Sequence, residues 1–312
     1  MELRVQFKPR KKYEAMRVES KRTRHKGGTM PFLFTMSQDK LEDLKNLLRS
    51  FGSCLIAYSG GVDSAFLAVV AHQVLGEKSL AIIADSPSLA RRELDEAVKL
   101  AEKFGFALRI IHPHEFENAE YLSNPHNRCY FCKHELFKEL APIAKKEGFS
   151  TILHGENASD VGDYRPGGVA ANEFKVRAPL REAGLTKAEI REYSEKLGLP
   201  TASKPQAACL SSRIPYGESV TVEKLAMIEK AEYVLQDLGF HDVRVRHHEL
   251  PGGGKKRYLA RIEIGTSEMP TFMKQDVFDQ VVKALKTLGY VHVTLDLEGY
   301  QRGGFNRVIG KS

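Results

Sequence analysis

The chain has 312 residues, of which 42% are hydrophobic and 28% charged, an ordinary globular composition with room for about two domains. No apolar run approaches the roughly 20 residues of a membrane span, and four cysteines are too sparse for a secreted disulfide scaffold, so a reducing, cytoplasmic setting is expected. The net charge of +7 resides in residues 1–36, where ten Lys or Arg face three acids; the balanced remainder argues against a nucleic-acid-binding face.

Residues 1–36 read as a basic, disordered extension, or as a leader preceding a true start at Met30 or Met36, and they lack the apolar core of a secretory signal. A buried strand follows over 54–58, and a helix carries Ala65, Leu67, Ala68, Ala71 and Leu75. The next strand covers 80–84. After it comes a helix with Ser88 as N-cap and Leu94, Ala97, Val98 and Ala101 on its inner face. A strand over 106–111, a helix over 129–146 and a strand over 151–153 continue the alternation. Thr186 and Glu189 form a capping box for a helix over 187–197. Apolar strands interleaved with helices imply an α/β fold, a parallel sheet with helices on both faces, over residues 37–207.

A smaller α+β domain is expected over 208–312: a helix at 221–238, strands at 242–248 and 258–264 around Pro251-Gly252-Gly253-Gly254, a helix at 270–288 and a strand at 291–297. Period-two alternation there buries Val243, Val245, Ala260, Ile262, Val293, Leu295 and Leu297. Arg244, Arg246, Arg261, Glu263 and Asp296 gather on the opposite face. Periodicity alone fits a solvated face equally well.

The first strand runs into Ser59-Gly60-Gly61-Val62-Asp63-Ser64 and then a helix. Glycines let the backbone approach an anion, and the helix start favours phosphate. Ser59 and Ser64 add hydroxyl donors, and Asp63 suits the Mg2+ that accompanies a nucleotide. The terminal Gly304…Gly310-Lys311-Ser312 imitates a Walker A loop but has one residue too many between its glycines and no helix after it. Gly252-Gly253-Gly254 reads as a hairpin turn.

Cys129 and Cys132 lie on one face at a helix start, where Arg128 and the helix N-terminus favour their thiolates. With Cys209 they make three soft ligands for a metal or an iron–sulfur cluster. A redox disulfide and a zinc site completed by His126, His134 or His154 are the alternatives. Cys54, inside an apolar strand, reads as core.

SGGVDS resembles the signature of the PP-loop ATP pyrophosphatases, which have a HUP-like fold and grip the β,γ-pyrophosphate while a substrate attacks the α-phosphate. That resemblance implies a nucleotide site of Ala57, Ser59, Gly60, Gly61, Val62, Asp63, Ser64, Asp85, Ser86 and Gly155. Together with Asp163-Tyr164-Arg165-Pro166-Gly167, the segment CLSSRIPYG from Cys209 and Val293-Thr294-Leu295-Asp296-Leu297, it makes the chain similar to the LarE family of sulfur transferases over roughly residues 40–308.

The LarE resemblance implies nickel-pincer nucleotide synthesis, the cofactor route of lactate racemase. Both carboxylates of a pyridinium biscarboxylate mononucleotide would be adenylated by ATP and become thiocarboxylates. Members with cysteines matching Cys129, Cys132 and Cys209 hold a 4Fe-4S cluster whose fourth iron carries a transferable sulfide; others sacrifice the sulfur of the cysteine matching Cys209. Glu263 and Asp296 match metal-binding acids, while Arg244, Arg246 and Arg261 would grip the substrate phosphate, and this face would close over the PP-loop cleft. Arg213 would offset phosphate charge. An acid found in some members is replaced by Val161-Gly162, with Asp160 or Glu156 as substitutes. The expected partners are the small-molecule substrate, a sulfide source and further copies of the chain in a homo-oligomer, with no membrane and no nucleic acid. A tRNA thiolation enzyme is the nearest rival reading; an amide-forming PP-loop ligase or a non-catalytic nucleotide sensor leaves the cysteine trio unexplained or idle.

Overall fold

The computed structural model describes residues 32–162, 166–205, 208–252, 254 and 256–301. The part of the basic extension up to residue 31, the triplet Asp163-Tyr164-Arg165, Gly253 and the terminal Walker-like segment lie outside them. Helix α1 spans Phe32–Phe51 and leads into β1 (Cys54–Ala57), α2 (Val62–Leu75), β2 (Ser79–Ala84), α3 (Arg91–Phe104) and β3 (Leu108–Ile111). Then come the one-turn α4 (Ala119–Leu122), α5 (Arg128–Glu147) and β4 (Thr151–His154), followed by α6 (Gly167–Glu173), α7 (Pro179–Glu182) and α8 (Lys187–Lys196).

Strands β1 to β4 form one parallel sheet in the order β3-β2-β1-β4. β1 is buried at all four residues because helices cover both faces. Cys54 and Ile56 join the core built by α1, α2, α3 and α8, whereas Leu55 and Ala57 pack with Phe137 and Leu140 of α5 and Ala170 and Ala171 of α6. The chain moves outward from β1 through β2 to β3, then returns to the other side of β1 as β4. That reversal opens a crevice at the carboxyl ends of β1 and β4, the usual ligand position in such sheets.

The second sheet follows α9 (Val222–Asp237). It consists of β5 (Val243–Leu250), β6 (Arg257–Ile264) and, after α10 (Met269–Phe272) and α11 (Gln275–Thr287), β7 (Tyr290–Leu295). β5 and β6 pair antiparallel with Leu250 opposite Arg257, so residues 251–256 are a hairpin connection, and β7 runs parallel to β6. Val243, Val245, Ala260 and Ile262 pack on Ala231 and Leu235 of α9 and Val281 and Leu285 of α11. Among the described residues no helix is long and apolar enough to cross a membrane.

Three local expectations need correction. Ser88 does not cap a helix: α3 begins at Arg91 behind Ala90, with no side-chain cap of its own, and Ser88 is buried. The helix expected over 270–288 is two helices, separated where Lys274 turns extended. Leu297 is 88% exposed, not core, and Val293 and Leu295 are only partly buried. β7 ends at Leu295; Asp296 N–H makes a last bond to the Ile262 carbonyl, and the chain then turns with Gly299 N–H on the Asp296 carbonyl. Alternation cannot outlast the strand that imposes it.

Candidate active site

The loop between β1 and α2 owes its shape to Gly60, whose φ of +70° is left-handed and whose added Cβ would lie 3.0 Å from the Ala97 Cβ of α3. Ser59 N–H donates to Ser64 Oγ (3.1 Å), which donates to the Gly61 carbonyl (3.2 Å), closing the turn on itself. Gly61 caps α2 without a side-chain hydrogen bond, leaving the positive end of the helix dipole to an anion. Gly155, at the exit of β4, touches this turn: a Cβ there would stand 2.9 Å from Ser64 N. Only a bare backbone fits between β4 and the phosphate loop.

Asp63 lies in the first turn of α2 and receives the Lys187 ammonium at 2.6 Å and the Asn157 side-chain amide at 3.3 Å. A cation already sits on the carboxylate assigned to Mg2+, which suits Asp63 as a metal-holding group. Lys187 opens α8, behind the Thr186–Glu189 capping box, and its backbone N–H donates to Ser159 Oγ. Lys187 and Asn157 were not among the residues singled out from the sequence. The capping box was visible there, but its approach to Asp63, more than a hundred residues away, is purely tertiary. Of the two substitute acids, Asp160 accepts from Asn157 N–H at 3.1 Å, and Glu156 pairs with Arg181 at 2.7 Å and faces His154 at 3.4 Å.

At the exit of β2, Asp85 pairs with Arg91 and lies 3.7 Å from His112. Ser86 is buried and accepts from Ser88 N–H. Ala57 ends β1, beside Ile82 and His154. All ten residues expected to hold the nucleotide therefore lie on β1, β2 or β4 exits or on the first turn of α2. They share the carboxyl edge of the sheet.

The cysteines gather near the same edge, because α5 follows β3 and starts where the strands end. Cys129 and Cys132 are one helical turn apart, the first exposed and the second partly buried. Cys209 is exposed, and the turn after it is docked by Leu210 N–H on the Ser88 carbonyl (2.8 Å). Arg128 binds the Ser211 carbonyl (3.0 Å) and Asn124, tying α5 to this turn. Cys132 packs in the same apolar cluster as Leu210, the residue after Cys209, so the two segments that carry the trio are in contact.

Desolvation by the surrounding protein and then Cys209 raise the Cys129 thiol above its usual value, outweighing Arg128 and Lys133; burial, Glu115 and Cys209 push Cys132 well above. Arg128 and Lys133 act in the expected direction at Cys129. Such thiols ionise when a metal supplies the missing charge. The donor set, three thiols from two segments, suits a soft metal. Among the described residues no group of three His, Cys, Asp or Glu is already gathered in ligand geometry. Of the histidines, His126 packs on Tyr216, His134 on Tyr130 and Phe174, and His154 faces Glu156. All four cysteines are free, and burial pushes the core thiol of Cys54 up to about 12.

Arg213 points inward. It forms a two-pronged pair with Glu232 of α9 (2.9 Å on both sides), and its Nη1 holds the Ala208 and Cys209 carbonyls. Glu232 also accepts Val245 N–H (2.9 Å), so one carboxylate joins the Cys209 segment to β5. The polar face of the second sheet is covered, not solvated: Arg244, Arg246 and Glu263 are all buried. Arg246 bonds the Ser212 carbonyl and pairs with Glu263 (2.6 Å), while Arg261 pairs with Glu263 (3.1 Å) and Asp296. Arg244 lies over the Tyr300 ring, 4.7 Å from its centre.

The sequence model of the NAD synthase family matches residues 36–122, the segment that holds the phosphate loop. A protein of Synechocystis sp. described as uncharacterized is 44% identical over 88% of this chain and 100% of its own length. The pyridinium-3,5-bisthiocarboxylic acid mononucleotide synthase of Lactiplantibacillus plantarum is 33% identical over 91% of this chain and 98% of its own. The chain belongs to the LarE family. A further uncharacterized relative, from Methanocaldococcus jannaschii, is 27% identical over 84% of the chain and 97% of its own length. Membership in the LarE family makes the chain an ATP-using enzyme of the sulfur transferase type, and the likeness extends through both sheets. Proteins with this PP-loop use ATP with Mg2+.

Proposed function

We propose that the chain uses ATP to adenylate the carboxylates of a pyridinium-3,5-biscarboxylic acid mononucleotide and exchanges AMP for sulfur drawn from a site made by Cys129, Cys132 and Cys209. The observation that carries the reading is the docking of the Cys209 turn on the start of α5, where Leu210 packs in one cluster with Cys132 and Arg128 bonds the Ser211 carbonyl, beside the loop that follows β2. The activity named for the Lactiplantibacillus relative supplies the substrate.

In the first half-reaction, Ser59, Gly60, Gly61, Val62 and Ser64 hold the β,γ-phosphates on the start of α2, and Asp63 holds Mg2+. Ala57, Asp85, Ser86 and Gly155 frame the nucleoside. Lys187, now paired with Asp63, would turn to phosphate oxygens were that carboxylate to hold the metal. A substrate carboxylate oxygen attacks the α-phosphorus and pyrophosphate leaves with the electron pair. The resulting acyl adenylate is electrophilic because AMP, unlike oxide, is a good leaving group. In the second half, sulfur adds to the acyl carbon and AMP departs, leaving a thiocarboxylate. A 4Fe-4S cluster on the three cysteines, with one iron free of protein ligand, would supply sulfide that is deprotonated near neutral pH. The chain's own part is placement: Arg213 and Glu232 fix the Cys209 segment, Arg246 and Arg261 offer guanidinium groups for which the substrate phosphate competes with Glu263 and Asp296, and Arg244 offers a third from over the Tyr300 ring. Glu263 and Asp296, once exchanged, are acids for a second divalent cation.

Anaerobic purification with iron, sulfide and absorbance analysis tests the reading, alongside pyrophosphate release with and without the biscarboxylate. We expect iron that is lost in Cys209→Ser and pyrophosphate release that depends on the substrate. Zinc with full activity overturns the cluster, loss of one sulfur from Cys209 after turnover replaces it by a sacrificial cysteine, and salt-sensitive tRNA binding with tRNA-dependent turnover replaces the substrate.

A further inference from the structure

Three buried hydroxyls lie between the nucleotide loop and Cys209 and serve neither the phosphate turn nor the arginine face. Ser88, Tyr121 and Ser211 are 4%, 1% and 0% exposed. Ser88 belongs to the loop after β2, Tyr121 to α4 and Ser211 to the turn after Cys209. The Tyr121 hydroxyl donates to Ser211 Oγ at 3.3 Å. A phenol has one proton, so Ser88 Oγ, 2.5 Å from the same oxygen, must be the donor in that contact. Ser211 has then accepted once, and its own proton meets Cys209 Sγ at 3.1 Å. Among the described residues that sulfur is the acceptor left to it.

Proton counting therefore gives the chain one direction, with each hydroxyl donating once and the series ending on sulfur. With Tyr121 donating to Ser211, a proton given by Cys209 would leave the Ser211 proton without an acceptor in a fully buried place, at a cost comparable to a lost hydrogen bond. The Tyr121 ring is fixed edge-on against Phe116, with centres 5.4 Å apart. The backbone bond from Leu210 N–H to the Ser88 carbonyl closes the loop between the first and last members.

We infer that Tyr121 and Ser211 are positioning residues that aim a hydrogen bond at the Cys209 sulfur and hold it as an acceptor beside the nucleotide loop. The inference rests on Cys209 being the sulfur-transfer cysteine for its use, and on the geometry alone for its existence. Donors to a ligating or nucleophilic sulfur orient it and temper its basicity, as outer partners do for other metal ligands.

The test is alkylation of the reduced, metal-free protein by iodoacetamide at neutral pH, followed cysteine by cysteine by mass spectrometry. Ser211→Ala removes the hydrogen bond that holds the Cys209 sulfur in place, so Cys209 should react roughly fourfold more slowly. Tyr121→Phe, which only weakens the Ser211 donor, should slow it by about half that factor. Ser211→Thr restores the rate, and Cys129 is unchanged throughout. An unchanged Cys209 rate in Ser211→Ala and Tyr121→Phe overturns the inference, as does a parallel change at Cys129 or failure of Thr to rescue, either of which marks mere loosening. If the wild-type chain transfers no sulfur while these rates behave as expected, the functional reading fails and the hydroxyl series stands.

Discussion

The two sheets bury their faces in opposite ways. The parallel sheet β3-β2-β1-β4 packs apolar side chains on both sides, and the polar groups of its candidate site lie at the carboxyl edge, where Ser59, Asp63, Asp85 and Ser86 sit. The three-stranded sheet is apolar toward α9 and α11 only; its other face carries Arg244, Arg246 and Glu263, buried beneath the turn after Cys209. A chemical site at a sheet edge leaves the core free of charge. One on a sheet face makes the charges part of the core, so function and stability become harder to separate there.

That contrast can be broken most decisively at the edge site. Asp63→Asn should lower substrate-dependent pyrophosphate release by roughly 10³-fold with little change in thermal stability, since Lys187 is partly exposed and the new side-chain oxygen still accepts the Asn157 amide. A fall in melting temperature matching that of a core variant would show that edge and face behave alike.

On the face, Glu263→Ala leaves Arg246 and Arg261 facing a buried gap. A loss of about 3 kcal/mol is expected from urea unfolding, the usual cost of removing one partner of a buried pair. If Glu263→Ala unfolds like the wild type while substrate binding weakens, the charge network serves binding alone.

The smallest effect, about 1 kcal/mol over the first pH unit below 6.5, is a pH dependence of the second sheet. His247 is fully buried on β5 and bonded to the Tyr290 hydroxyl at 3.0 Å; burial, then Lys224 and His248, lower its pKa from 6.5 to about 3, with Glu249 opposing. The folded state thus keeps it neutral while the unfolded chain protonates near 6.5. Stability from this group is complete above pH 6.5 and is lost as pH falls from there toward 3, at a slope approaching roughly 1.4 kcal/mol per pH unit. Urea midpoints measured across that window should fall in the wild type and fall less in His247→Gln. Equal slopes would place the acid sensitivity elsewhere.

Much of the first domain was legible because period and punctuation are local. Continuous apolar strands marked the parallel sheet, SGGVDS marked the phosphate turn, and Thr186 with Glu189 marked the start of α8. Misreadings arose where local cues conflicted with packing. Ser88 looks like a cap, yet its hydroxyl is used by Tyr121 instead. Leu297 continues an alternation that its strand has already abandoned. In the second domain, alternation sorted the residues of β5 and β6 into two faces but could not say whether the charged face met water.

What the amino-acid order determined by itself was the sheet of the first domain, its phosphate-gripping turn and the family resemblance, all of which depend on neighbours a few residues apart. Tertiary structure alone decided that Lys187 and Asn157 attend Asp63, that Arg213 turns to Glu232, and that Ser88, Tyr121 and Ser211 line up behind Cys209. Those meetings join residues 19 to 124 positions apart. Only the packing of helices on the sheet and the docking of the second sheet bring them within hydrogen-bond reach.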